Sequence, residues 1–112
     1  VAAGRANHAG LGNYPGIGLD QGNTKLLGIE AENTGNTSGP LDDYPWPEAQ
    51  MDAYARTCAA LLTYINAPVS LCIGHKEYAP SRKVDPSFSM PDFRVRVATF
   101  MKPKQNSGVV VA

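Results

Sequence analysis

The sequence predicts an α/β domain, and three patterns carry that expectation. Residues 25–32 alternate in the period of a half-buried strand, with Leu27, Ile29 and Ala31 on one face and Gly28, Glu30 and Glu32 on the other. Residues 69–74 form a short apolar run bounded by turn signals, which suits an interior strand. Between them Met51, Tyr54, Ala55, Cys58, Leu61, Leu62 and Ile65 recur at offsets of 3, 4, 7, 10, 11 and 14, one apolar stripe at helical period.

Taken in chain order, residues 4–23 are rich in Gly, Asn and Pro, with Pro15-Gly16 and Gly22-Asn23 marking turns, so a long loop is expected. Loops of that length in a small domain are usually functional. The strand at 25–32 follows, its apolar face expected to meet a helix. Residues 33–46 return to turn chemistry. Pro47 then stands where a first-turn proline is tolerated, with acidic Glu48 behind it, and the helix is expected over about 47–65. Asn66-Ala67-Pro68 ends it, and the strand at 69–74 leaves His75 at its carboxyl end. Residues 75–88 show no clean period, whereas Phe93, Val97, Phe100 and Met101 recover helical spacing after Ser89 and Pro91. One domain over 1–102 and a tail over 103–112 are expected, with no repeat, low-complexity segment or linker.

Composition narrows the function classes. With 43% hydrophobic and 18% charged residues the chain can close one modest core. Ten basic and ten acidic residues cancel, so no global field exists to hold nucleic acid or an anionic membrane, and neither partner is expected. No apolar run approaches the ~20 residues of a spanning helix, and the start is no signal peptide. The chain begins with Val rather than Met, within what reads as a strand, which leads us to expect preceding residues. Cys58 and Cys72 lie in apolar stretches and are too few for a disulfide framework, so buried free thiols are expected. Cys72 and His75 mimic half a zinc motif, but along a strand that spacing points them to opposite faces.

Chemistry concentrates in Gly74-His75-Lys76-Glu77-Tyr78-Ala79-Pro80-Ser81-Arg82-Lys83-Val84-Asp85-Pro86. A catalytic zinc takes three protein ligands and keeps one position open, and His75 and Asp85 are suitable donors on one loop with Lys83 within reach. A His and an Asp ten apart are equally at home as surface loop residues.

This segment resembles the type-2 amidase and peptidoglycan-recognition family, in which G-H-x-x-x-A-P-x-R-K-x-D-P carries two zinc ligands and a catalytic lysine. The resemblance implies His75 and Asp85 as Zn2+ ligands and Lys83 as the cation that steadies the oxyanion formed on amide attack. Leu27-Gly28-Ile29-Glu30-Ala31-Glu32 is similar to the family's I-G-I-E strand and implies Glu30 as general base. Glu32 reads as solvated surface, which also remains open for Glu30. Asn7-His8-Ala9-Gly10 is similar to the H-A-G motif beside the cleft and implies His8 on the substrate side; a loop histidine bonded to water or backbone is the other reading. Arg82 pairs with a peptide carboxylate or is a solvated loop arginine. Trp46 and Tyr78 stack on sugar or pack in the core or rim.

The resemblance runs from about Asn7 to Phe93, and several stretches resemble amidase domains of actinobacteriophage, including mycobacteriophage, endolysins. It implies a mixed central sheet flanked by helices and hydrolysis of the N-acetylmuramoyl-L-alanine bond of peptidoglycan. It also implies a phage product made in the host cytoplasm and acting on the bacterial cell wall. The family's third ligand is a histidine on a strand upstream of the H-A-G motif. This sequence holds only His8 and His75, so the first strands and helix of the domain are expected to be missing. The missing segment or a second copy is then an expected partner. A zinc-free peptidoglycan-binding module, or an inactive fragment of the fold, is the alternative.

Overall fold

The computed structural model describes residues 4–35 and 46–101. These gather into two compact units, one from the stretches up to Trp46 and Ile73–Met90, the other from Pro47–Cys72 and Pro91 onward.

In the second unit the longest element, α2, spans Glu48–Tyr64, close to the expected bounds. Pro47 precedes it with extended backbone (φ −60°, ψ 144°), and its missing N–H costs nothing at a helix start. The apolar stripe buries Ala55, Cys58 and Leu62, together with Ala59, whereas Ile65 at the C-cap is 51% exposed. Asn66 then adopts a left-handed conformation (φ 56°). The Asn66 N–H bonds the Thr63 carbonyl at 3.2 Å and the Ala67 N–H bonds the Leu62 carbonyl at 2.9 Å, a Schellman ending that satisfies two orphan carbonyls. The last element, α4, spans Met90–Phe100. Side chains of α2 and α4 meet: Phe93 sets its ring edge-on to Tyr54 at 5.3 Å, Arg56 lies 4.2 Å over the Phe100 ring, and Arg96 forks onto Glu48 at 2.7 and 3.0 Å.

The first unit is loop-built. Pro15-Gly16 forms the expected turn: Gly16 has φ 84° and the Ile17 N–H bonds the Tyr14 carbonyl at 2.9 Å, turning buried Ile17 inward. Gly22-Asn23 opens a single helical turn, α1, over Gly22–Lys25. A second one-turn helix, α3, spans His75–Tyr78. The Glu77 carboxylate accepts the Gly74 N–H at 2.9 Å, half of a capping box. Tyr78 is 2% exposed and anchors this unit's core.

The mixed sheet flanked by helices is not seen: no described residue is in strand or bridge conformation. Both expected strands require correction. A strand exists only through a ladder of bonds to a neighbour, and the described residues supply no second strand for 25–32. Lys25 instead closes α1, and Leu27 and Ile29, expected to face a helix, are 61% and 40% exposed. At 69–74 the backbone satisfies itself locally. The Leu71 N–H bonds the Pro68 carbonyl and the Cys72 N–H bonds Val69, making a 3-10 turn over Val69–Leu71. His75 therefore opens a helix rather than ending a strand. The tail from 103 and most of the turn-rich stretch before Trp46 lie outside the described residues. Among those described, no helix is long and apolar enough to cross a membrane.

Candidate active site

His75, Lys83, Arg82, His8 and Asn23 line one open cleft of about 440 Å³ in the first unit. Two local features bring the expected donors together. As the first residues of α3, His75 and Lys76 carry N–H groups without intrahelical partners, and Lys76 donates its own to the Asp85 carbonyl at 2.7 Å. That bond folds the chain back so that Asp85 Oδ2 lies 3.4 Å from His75 Nδ1. A turn supplies the lysine: the Arg82 and Lys83 N–H groups both bond the Ala79 carbonyl, at 2.9 and 2.8 Å, which sets Lys83 on the cleft wall.

The other imidazole nitrogen is committed as well. His75 Nε2 lies 2.8 Å from the Ala9 carbonyl, which can only accept, so Nε2 is the donor there and Nδ1 is the nitrogen turned to Asp85. This is the arrangement of a metal-ligating histidine held by a carbonyl behind it. Two ligands about 2.0–2.1 Å from a tetrahedral zinc stand about 3.3 Å apart, close to the observed 3.4 Å between Nδ1 and Oδ2. The pair therefore fits two corners of a zinc site. No group of three His, Cys, Asp or Glu that could hold a metal occurs among the described residues. His8 does not complete the set, because its Nε2 lies 3.0 Å from the Leu26 carbonyl and its ring rests on Gly28. A Cβ on Gly28 would stand 2.6 Å from His8 Nδ1, so only glycine allows that approach.

The remaining expected residues fall as follows. Glu30 and Glu32 are exposed, and Glu30 is not part of the cleft wall. Arg82 Nη2 donates to the Ala9 and Leu11 carbonyls at 2.7 and 2.8 Å, so the guanidinium braces the His-Ala-Gly loop. Tyr78 packs in the core, its hydroxyl accepting the Gly22 N–H at 3.0 Å and donating to the Gly10 carbonyl at 3.2 Å. Trp46 packs edge-on to Phe88 at 4.9 Å and donates its indole N–H to Ser87 at 2.9 Å. Cys58, buried, and Cys72, partly exposed, form no disulfide. The Cys58 thiol is pushed well above its ordinary range by its hydrogen bond with Cys72 and by burial.

Sequence reasoning missed Asn23. Its Oδ1 accepts from three successive backbone donors, His8 at 2.8 Å, Ala9 at 2.7 Å and Gly10 at 3.3 Å. The only signal was an Asn in a turn, a residue whose short amide readily bonds backbone.

A carbonyl-anchored histidine and a lysine share this cleft, an aspartate adjoins the histidine, and the comparisons show the family to which the chain belongs. The N-acetylmuramoyl-L-alanine amidase family model matches residues 1–88, and the chain belongs to that family. It is similar to the 1,6-anhydro-N-acetylmuramyl-L-alanine amidase AmpD of Salmonella typhimurium, 35% identical over 96 residues and 84% of this chain. The protein of the same name from Citrobacter freundii is 36% identical over 95 residues and 83% of this chain. The chain spans about half the length, 46%, of each of these curated relatives. No solved structure matches the chain at a significant level.

Proposed function

We propose that the chain belongs to a zinc-dependent catalytic domain that hydrolyses the amide between the lactyl group of N-acetylmuramic acid and L-alanine in peptidoglycan. The observation that carries this reading is the His75–Asp85 pair, with Nδ1 and Oδ2 separated by 3.4 Å, Nε2 fixed on a carbonyl, and Lys83 on the same cleft. His75 and Asp85 would hold the ion. When bound, zinc supplies polarisation of the scissile carbonyl and acidification of water.

The protein's own residues supply the rest. Lys83 presents a cation where negative charge develops on the carbonyl oxygen, and a preorganised charge of that kind acts without reorganisation cost. Glu30 takes a proton from the attacking water. His8 and the exposed edge of Arg82 contact the glycan-peptide.

The stretches similar to actinobacteriophage endolysins support a phage lysin, made in the host cytoplasm and released onto the cell wall. The identity to the AmpD proteins supports a second reading, in which the substrate is a soluble 1,6-anhydro muropeptide. Both readings cut the same bond, and digestion of intact sacculi beside soluble 1,6-anhydro muropeptide separates them. The natural polypeptide carrying this chain should release new L-alanine amino termini without new reducing sugar ends. New reducing ends without new amino termini would indicate a glycosidase and overturn the proposal.

A further inference from the structure

We propose that Asn23 is a positioning residue for the metal-site histidine, acting through the Ala9–Gly10 peptide. This rests on the reading of His75 as a ligand. One peptide unit carries both halves of the link: its N–H, on Gly10, points to Asn23 Oδ1 at 3.3 Å, and its carbonyl, on Ala9, meets His75 Nε2 at 2.8 Å. A peptide is planar and trans, so its N–H and C=O point in opposite directions, and fixing one aims the other. Asn23 also takes the two preceding N–H groups, of His8 and Ala9, at 2.8 and 2.7 Å, so the same oxygen holds the chain leading into that plane as well as the plane itself.

The carbonyl it aims is shared. Arg82 Nη2 donates to the same Ala9 oxygen at 2.7 Å, and a carbonyl with two lone pairs accommodates both donors only in one orientation. Asn23 is itself held from beneath. The Gly22 N–H beside it bonds buried Tyr78, and a Cβ on Gly22 would stand 2.6 Å from the Ala9 Cβ, so α1 sits flush against the loop it organises. The order of action is Asn23 to the peptide plane, the plane to His75 Nε2–H, and Nε2–H to the direction in which Nδ1 faces Asp85. Asn23 touches neither donor atom.

The test uses the whole chain without metal and then with zinc alone. In the metal-free protein, above the pH at which an ordinary histidine is charged, the His75 Nε2–H proton should give a nitrogen-15-resolved signal protected by its bond to Ala9. Asn23→Ala should abolish that signal by fast exchange while amide spectra show the fold retained. Asn23→Asp, which keeps an acceptor oxygen in place, should preserve it. Zinc titration of chain that binds the ion should show the alanine variant weakened by about 10–100-fold, the usual cost of losing an outer partner of a ligand, with the aspartate variant close to the parent. A protected Nε2–H in Asn23→Ala, or its loss in folded Asn23→Asp, overturns the proposal. If Asn23→Ala does not fold, the aspartate variant alone decides by the same signal. Failure of the parent chain to bind zinc counts against the zinc reading, and the metal-free signal still decides the role of Asn23.

Discussion

Replacing Tyr78 by phenylalanine removes one oxygen from the centre of the first unit and leaves the ring in place. The ring is closely held: a Cβ on Gly12 would lie 2.5 Å from it and one on Gly22 2.8 Å, so no rearrangement fills the vacated position. The hydroxyl serves two groups of different standing. Gly10 is exposed, and its carbonyl finds water when the tyrosine proton is gone. The Gly22 N–H, at the first position of α1 and buried, has no such recourse. A buried donor left without a partner costs about 1–3 kcal/mol, and that figure is the expected loss. For a domain of 60–100 residues it corresponds to a fall in Tm of roughly 5–20 °C. Trp46, the single tryptophan, lies in the same unit as Tyr78, so urea unfolding followed by its fluorescence reads the right structure. The midpoint should fall with an unchanged denaturant slope, and the Gly22 amide should lose protection from hydrogen exchange. A loss below about 0.5 kcal/mol with Gly22 still protected would refute the reasoning, because the hydroxyl would then be dispensable to the donor it serves.

Three further outcomes are expected. Lys83→Ala in the polypeptide that turns over peptidoglycan should lower kcat roughly a hundredfold with zinc content unchanged, as should Glu30→Gln to a degree set by its role as base; zinc loss or undiminished turnover would contradict the assigned roles. Phe93→Ala, which empties a site 4% exposed and removes an edge-on partner of Tyr54, should cost about 3–5 kcal/mol in denaturant unfolding followed by helical circular dichroism. Arg96 holds the Glu48 carboxyl below its ordinary value of 4.5, so the pair's contribution is present above that value and is lost as pH falls through the lowered one. The Tm difference between the parent and Glu48→Gln should accordingly be largest near neutrality, shrink with salt and vanish in acid.

Sequence alone fixed what depends on near neighbours. The helix α2 was legible because its stripe repeats every 3.6 residues and its ends carry their own signals, Pro47 before and Asn66-Ala67-Pro68 after. The Pro15-Gly16 turn was legible for the same reason, since a left-handed Gly16 makes it without distant help. The chemistry of His75, Lys83 and Asp85 was readable as a local set of residue types, although spacing alone left it open whether they meet. Tertiary structure decided whatever needed a partner from elsewhere in the chain. The alternation at 25–32 and the apolar run at 69–74 are compatible with strands, but a strand is made by the chain beside it, and the described residues provide none. The site's supports are non-local in the same way: Ala9 meets His75 across 66 positions, Tyr78 meets Gly22 across 56, and Asn23 gathers three N–H groups up to 15 positions away. No periodicity encodes such contacts, because a side chain that bonds to backbone can find an acceptor or donor wherever the fold happens to bring one.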